Sequence, residues 1–232
     1  MSLIAENLKK IHHEIIDACK QFRRNPNEIK LLAVSKYQSV AKIQEAIASG
    51  QTAFGENFVQ EAVPKIQQIA IPQVSWHYIG KIQSNKTRLI AENFAWAHSV
   101  TNLKTATRLA AQRPLSLPPL NICIAVNIDA EPTKDGVSPE ALAPLTQAIV
   151  GLPRLRLRGL MIIPRAQDTF DQQRRSFAQC RELRHQINQK FGLSLDTLSM
   201  GMSNDFSAAI AEGATILRIG SAIFGSRRRD VL

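Results

Sequence analysis

LSMGMSNDFSAAIAEGATILRIGSAIFG, residues 198–225, is the stretch that indicates the fold most directly. We interpret residues 197–203 and 216–225 as strands, because both runs are short and largely apolar. The alanine-rich run between them, 206–212, has the composition of a short helix. A strand, a helix and a second strand in this order form the unit from which parallel sheets are built.

The same alternation runs through the rest of the chain. Six earlier apolar runs have the length of strands: 30–36, 52–56, 75–80, 95–100, 121–128 and 155–163. Amphipathic stretches separate the runs, for example at 39–50, 102–112 and 169–192, and one further helix precedes the first strand. Eight such units predict a single α/β domain over 1–232, a closed (β/α)8 TIM-type barrel with an extra N-terminal helix. An open doubly wound sheet is the alternative, but no GxGxxG follows the first strand.

The composition is that of a globular protein with a large core. Hydrophobic residues make up 44% of the 232 residues and charged residues 21%, which excludes a disordered chain. The N-terminus lacks the apolar centre of a signal peptide, and no run reaches transmembrane length. The three cysteines form no CxxC pair, and the histidines lack metal-ligand spacing. We therefore expect a cytoplasmic protein without a membrane partner or a metal.

The net charge of +10 raises the question of a nucleic-acid partner. The basic residues are spread along the chain, and their densest group is Arg227, Arg228 and Arg229 at the C-terminus. No recognised nucleic-acid-binding motif accompanies them, so we expect no specific nucleic-acid partner. A basic solvated surface, or one that attracts anionic small molecules, remains open.

Lys36 is the first candidate for chemistry. It ends the run Leu31–Ser35, and the period of two in a strand places Leu32, Val34 and Lys36 on one face. If that face fills the barrel, Lys36 points into the barrel mouth, where partial desolvation lowers the pKa of its amine and makes a Schiff base feasible. A solvated lysine at a strand end is the alternative.

The loops after the last two strands carry a second candidate, a phosphate site. Barrels often bind phosphate after strands 7 and 8, and there this chain has Ser203, Gly220 and Ser221. Arg218 lies inside the last apolar run, where a charge must be paired or functional, and its N–H groups suit a pyridine nitrogen. The alternatives are ordinary helix caps for the serines and a salt bridge for Arg218.

Five stretches resemble the pyridoxal-phosphate homeostasis proteins, the YggS/PROSC family. They are LLAVSKYQ (31–38), FGENFVQE (54–61), WHYIGKIQSNK (76–86), RGLMIIP (158–164) and the 198–225 stretch. They occur in the order found in that family and cover nearly the whole chain, and they are compatible with a cyanobacterial source. The resemblance implies a fold-type III barrel like the N-terminal domain of alanine racemase, with pyridoxal 5'-phosphate (PLP) as the cofactor.

The resemblance also implies roles for individual residues. Lys36 would form the internal aldimine, Ser203, Gly220 and Ser221 would hold the phosphate, and Arg218 would face the pyridine nitrogen. Asn57, His77 and Met200 would line the pocket, although His77 has the alternative of a hydrogen-bonded histidine inside the barrel. Family members often have threonine where this chain has Ser221, and the hydroxyl is kept.

Two functions fit these residues. A PLP-dependent racemase needs an acid or base on each face of the substrate carbon, which related racemases complete with a tyrosine from a second domain. This chain ends at Leu232, and we expect its two tyrosines, Tyr37 and Tyr78, to point away from the site. We therefore expect no catalytic residues and a monomeric, non-catalytic PLP carrier. It would serve vitamin B6 homeostasis and amino-acid and keto-acid balance, with PLP-dependent apo-enzymes as recipients.

Overall fold

Eight parallel strands close into a barrel in the computed structural model, which describes residues 2–225. The strands follow one another around the barrel in chain order, and β1 pairs with β8 to close it. They are β1 (Lys30–Val34), β2 (Ala53–Glu56), β3 (Ser75–Tyr78), β4 (Trp96–Val100), β5 (Leu120–Ala125), β6 (Leu155–Met161), β7 (Thr197–Ser199) and β8 (Ile216–Ile219). The predicted (β/α)8 barrel is confirmed, and the arginine cluster at 227–229 lies outside the described residues.

Helices cover the outside of the barrel. The extra N-terminal helix is α1 (Leu3–Gln21), and a short 3-10 turn (Pro26–Glu28) leads into β1. One helix follows each strand: α2 (Val40–Ala48), α3 (Val59–Ile69), α4 (Thr87–Asn93), α5 (Leu103–Gln112), α6 (Pro139–Ile149), α7 (Phe170–Phe191), α8 (Phe206–Ala211) and α9 (Ser221–Phe224). No helix within residues 2–225 is long and apolar enough to span a membrane.

The predicted helix over 169–192 shows why the sequence forms these elements. It is α7, and the Thr169 hydroxyl accepts a hydrogen bond from the backbone N–H of Gln172 at its start. At its end Gly192 adopts a left-handed conformation, φ +62°, and its N–H donates to the carbonyl of Asn188.

Six of the eight strands end earlier than the sequence suggested. They are β1, which ends at Val34, β3 at Tyr78, β5 at Ala125, β6 at Met161, β7 at Ser199 and β8 at Ile219. The chain leaves β7 at Gly201, whose φ of +94° is compatible with glycine and not with a strand. The predicted run 216–225 is a strand followed by the one-turn helix α9, so Ser221 lies at the start of a helix. Lys36 likewise lies two residues beyond β1.

Side chains of alternate strand residues form two cores. The larger core fills the space between the sheet and the helices. The smaller core fills the barrel itself and consists of Leu32, Ala53, Trp96, Cys123, Ala125, Met161 and Ile216. Four of the buried polar residues on the strands form one hydrogen-bonded group: His77, His98, Ser199 and Arg218. The three cysteines, Cys19, Cys123 and Cys180, are unpaired and buried.

Candidate functional site

A cavity of about 500 Å³ opens at the carboxyl ends of the strands. Six of the eight predicted site residues line it: Lys36, Asn57, Ser203, Arg218, Gly220 and Ser221. These residues follow or end β1, β2, β7 and β8, which are neighbours around the barrel. The closure of the barrel between β8 and β1 is what brings Lys36 to the serine loops.

A tight turn presents Lys36 to this cavity. The Gln38 N–H donates to the carbonyl of Ser35 at 3.0 Å, so Lys36 and Tyr37 are the central residues of a four-residue turn. Tyr37 has a φ of +62°, and its ring lies on the protein surface against Phe58, with the ring centres 5.3 Å apart. The turn thus sends the neighbouring side chain outward while Lys36 lines the cavity.

A buried lysine anchors the first residue of that turn directly and its Tyr37 through Glu61. The ammonium group of Lys65 donates to the carbonyl of Ser35 at 2.9 Å, to Glu56 Oε1 at 2.9 Å and to Glu61 Oε1 at 2.5 Å. The Ser35 hydroxyl donates to Glu56 Oε1 at 2.7 Å, and the Tyr37 N–H donates to Glu61 Oε1 at 2.6 Å. The two residues that flank Lys36 are therefore fixed by one buried charge network. Burial raises the pKa of Glu56, and the Lys65 ammonium opposes that shift.

The two serines come together across the cavity from different loops. Ser203 Oγ lies 3.4 Å from Ser221 Oγ. Gly220 packs against β1, since a Cβ atom added there would lie 3.1 Å from the carbonyl oxygen of Val34. Asp205 directly precedes α8 and accepts a hydrogen bond from the Met202 N–H at 2.5 Å, which holds the loop that carries Ser203. The two hydroxyl groups can therefore serve one anion.

Arg218 crosses the top of the barrel interior and is 5% exposed. Its Nη1 donates to the carbonyl of Ser199 at 2.5 Å and to the Ser199 hydroxyl at 2.9 Å, and its Nη2 donates to the carbonyl of Ile162 at 2.8 Å. Burial lowers the pKa of Arg218 to about 10, and the Asp205 carboxylate opposes that shift. The guanidinium is thus charged at neutral pH. Within residues 2–225 it forms no salt bridge, so the alternative of an ion pair does not explain it.

The side chains of His77 and Met200 do not line the cavity. His77 is fully buried inside the barrel, where its ring nitrogens lie 2.9 Å from His98 Nε2 and 3.1 Å from Ser75 Oγ. This matches the alternative of a hydrogen-bonded barrel histidine. Met200 is fully buried in the core between sheet and helices. Side chains of successive strand residues point to opposite faces. Ser199 bonds to groups inside the barrel, so the next side chain, that of Met200, points outward towards the helices.

Three residues of this region were missed by sequence reasoning. His98 and Ser199 bond to each other inside the barrel, with His98 Nδ1 and Ser199 Oγ 2.8 Å apart. The period of two along β4 places His98 on the same side as Trp96 and could have revealed it. Lys65 could not have been found in this way, because its role depends on how α3 packs against the ends of β1 and β2.

A second cavity, of about 740 Å³, opens at the amino ends of the strands. Its lining includes four cationic residues, among them Arg24 and Arg158. Arg158 forms a two-point contact with Asp196, at 3.0 Å and 2.6 Å, and Arg24 donates to the carbonyls of Ile210 and Ala214. These arginines stabilise loops and helix ends, and the functional end of such barrels is the opposite one. We therefore place the site in the smaller cavity.

Comparison with known proteins assigns the chain to a family. Residues 7–228 match the model of the alanine racemase N-terminal domain. A pyridoxal phosphate homeostasis protein from Pseudomonas aeruginosa is 52% identical over 227 residues, covering 98% of this chain and 97% of that protein. One from Escherichia coli K12 is 47% identical over 236 residues, covering 98% of each.

Solved structures agree with this assignment. PipY of Synechococcus elongatus, solved with PLP bound, has a TM-score of 0.85 and 37% identity, and the match covers 96% of this chain and 100% of that one. Alanine racemase from Corynebacterium glutamicum shares the fold, with a TM-score of 0.68 and 19% identity over 97% of this chain and 60% of the racemase chain. The chain therefore belongs to the alanine racemase N-terminal domain family and, within it, to the pyridoxal phosphate homeostasis proteins.

Proposed function

We propose that the cavity holds PLP through a Schiff base with Lys36 and that the protein serves PLP homeostasis. The observation that carries this proposal is the convergence of an amine, a pair of hydroxyls and a buried cation on one cavity of about 500 Å³. Lys36 suits the aldehyde of PLP, Ser203 and Ser221 suit its phosphate, and Arg218 suits its ring nitrogen. The relatives named for PLP homeostasis and the solved relative with bound PLP support the same cofactor.

One atom of the site tests the fit independently. Asn57 Oδ1 is buried and has no hydrogen-bond partner among residues 2–225, although buried acceptors are normally satisfied. Asn57 also lines the cavity. A polar ligand would supply the partner: the Asn57 amide, turned by 180°, would present its Nδ2–H donors to the 3'-oxygen of PLP. The residues present therefore fit this cofactor.

The site favours holding the cofactor over transforming an amino acid. A racemase needs a second acid or base on the opposite face of the substrate carbon. Both tyrosines of the chain lie elsewhere: the Tyr37 ring packs on Phe58 at the surface, and the buried Tyr78 donates to the carbonyl of Lys81 at 3.0 Å. A protonated ring nitrogen needs a hydrogen-bond acceptor, and an arginine at that position only donates. The ring nitrogen would therefore stay unprotonated, which makes the ring a weak electron sink. These features support our proposal of reversible tethering, which would serve vitamin B6 homeostasis and amino-acid and keto-acid balance.

We also propose that the protein is a cytoplasmic monomer and that it passes PLP to apo-enzymes. Three unpaired, buried cysteines are typical of a reducing compartment. Light scattering of the purified protein at several concentrations measures the oligomeric state, and a mass of two chains would contradict the monomer.

The experiment for the cofactor site is an absorbance spectrum before and after borohydride reduction. Wild type should be yellow, and reduction should fix the cofactor on the peptide that contains Lys36. Lys36→Ala should lose both signals, while Lys42→Ala, which removes an exposed amine on α2, should keep them. An unchanged spectrum in Lys36→Ala would show that another amine holds the cofactor.

The racemase alternative is tested separately. The protein with bound PLP is incubated with a panel of L- and D-amino acids, and enantiomer ratios and released products are measured by chromatography. We expect no turnover above that of free PLP. Stereospecific turnover abolished in Lys36→Ala would establish an enzyme.

A further inference from the structure

A chain of buried polar side chains runs from Arg218 down through the barrel interior. Arg218 Nη1 lies 2.9 Å from Ser199 Oγ, which lies 2.8 Å from His98 Nδ1. His98 Nε2 lies 2.9 Å from His77 Nδ1, and His77 Nε2 lies 3.1 Å from Ser75 Oγ. His77, His98 and Ser199 are completely buried. The chain starts at the proposed cofactor cavity and ends at the first residue of β3.

Arg218 sets the direction of the first two hydrogen bonds. A guanidinium only donates, so Ser199 Oγ accepts from it. The hydroxyl of Ser199 has a single proton, and within the described residues its one other partner is His98 Nδ1. If Ser199 accepted from both groups, its own buried proton would have no acceptor, and buried donors are normally satisfied. We therefore assign Ser199 as the donor to His98 Nδ1, which makes Nδ1 the unprotonated nitrogen of that ring. The positive charge of Arg218 favours the same arrangement, because the dipole of Ser199 then points its proton away from the guanidinium.

The remaining bonds follow from the neutrality of both histidines. Burial and the charge of Arg218 lower the pKa of His98 to about 3, and burial and His98 lower that of His77 well below its usual value. A neutral His98 with an unprotonated Nδ1 carries its proton on Nε2 and donates it to His77 Nδ1. His77 then donates from Nε2 to the hydroxyl of Ser75. The His77 ring is held parallel to the Trp96 ring, 5.3 Å away and tilted by 5°.

The direction of the Ser199–His98 hydrogen bond matters for Arg218, because among residues 2–225 no carboxylate forms a salt bridge with the guanidinium. Its inner contacts are two carbonyls and the Ser199 hydroxyl. While His98 accepts the proton of that hydroxyl, the rotation of Ser199 Oγ is fixed and an oxygen lone pair stays directed at Arg218. Without His98 the hydroxyl proton must seek another acceptor, and the lone pair is no longer held in the direction of the guanidinium.

We infer that His98 is a positioning residue, which through Ser199 holds Arg218 in place as a hydrogen-bond donor towards the cofactor ring. This inference rests on the proposed function, because it assigns the ring nitrogen of PLP to Arg218. It gives the interior of the barrel, which usually packs layers of aliphatic side chains, a role in setting the electronic state of the cofactor.

The test compares variants of the protein with bound PLP. His98→Phe removes the acceptor for Ser199, whereas His98→Asn places an amide oxygen near the position of Nδ1 and should preserve the bond. His98→Phe should weaken PLP binding about tenfold and shift the visible absorption band, an effect typical of losing one hydrogen bond to a charged group. His98→Asn should stay within about twofold of wild type. Ser199→Ala should reproduce His98→Phe and serves in its place if that variant does not fold. His185→Phe, on the exposed side of α7, is the control.

Nitrogen NMR of the histidines tests the direction without PLP. We expect the Nε2-protonated form for both His77 and His98, and Nδ1 protonation of His98 would overturn the inference. So would a wild-type absorption band and affinity in both His98→Phe and Ser199→Ala. If wild type itself binds no PLP, the proposed function fails, and the tautomer measurement still decides the direction of the chain.

Discussion

The ammonium group of Lys65 donates to the carbonyl oxygen of Ser35 at 2.9 Å, so a buried lysine holds the residue that precedes Lys36. The same ammonium lies 2.9 Å from Glu56 Oε1, and the Lys65 and Glu56 side chains are 8% and 0% exposed. A buried ion pair of this kind is costly to break, because one charge is left without compensation.

Lys65→Met should therefore destabilise the protein by about 3 kcal/mol, measured by urea unfolding. The double variant Lys65→Met/Glu56→Gln should recover part of that loss, since it leaves no buried charge behind. Lys10→Met is the matched control, because the Lys10–Glu14 pair is 3.9 Å long and exposed. Equal stability of Lys65→Met and Lys10→Met would contradict the role of the network.

The stability of the protein should fall as the pH drops below the usual pKa of histidine. His98 has a pKa of 6.5 in the unfolded reference and about 3 in the folded protein, so between these values the unfolded chain binds a proton that the folded chain does not. Stability then decreases by about 1.4 kcal/mol per pH unit for each such histidine. His77 should contribute in the same direction.

Urea unfolding at pH 7 and pH 5 measures this dependence. The double variant His77→Asn/His98→Asn should lose most of the difference between the two pH values. His185→Gln, which removes an exposed imidazole, should keep it. A double variant with the same pH dependence as wild type would show that the two histidines are not neutral in the folded protein.

The serine pair should contribute to binding only for ligands that carry a phosphate. Ser203→Ala/Ser221→Ala should weaken PLP binding by about 100-fold, because in the proposed site each hydroxyl would donate to the charged phosphate. The same double variant should bind pyridoxal, which lacks the phosphate, as wild type does. Fluorescence titration with both ligands gives the comparison, and Ser116→Ala in an exposed loop is the control. An equal loss for both ligands would place the phosphate elsewhere.

Gly80 should tolerate no side chain. A Cβ atom there would lie 2.1 Å from the carbonyl oxygen of Asn57, which lines the cavity. Gly80→Ala should cost roughly 3 kcal/mol in unfolding free energy and weaken PLP binding, because Asn57 must move. Gly151→Ala, where nothing lies within 4 Å of the added atom, should have a much smaller effect on stability and none on binding.

The barrel was predictable from the sequence because each strand is an apolar run separated from the next by an amphipathic helix. The strand ends were less predictable, since they depend on single residues such as Gly201 and on the left-handed Tyr37. Six site residues reach one cavity, as their positions after neighbouring strands predicted, and their contacts with the cofactor remain predictions. The Lys65 network and the His77–His98 contact were not visible, because each joins residues from different elements whose pairing is set by packing.

The burial of the cysteines has a consequence for the selectivity of the site towards aldehydes. Aldehydes add thiolates as readily as amines, and only an accessible thiolate is reactive. Burial raises the pKa of Cys180 to about 12, and it raises the pKa of Cys19 and Cys123 as well. None of these cysteines lines the cavity that Lys36 lines. Under the proposed function, an aldehyde cofactor in that cavity would therefore face the Lys36 amine without a competing thiolate.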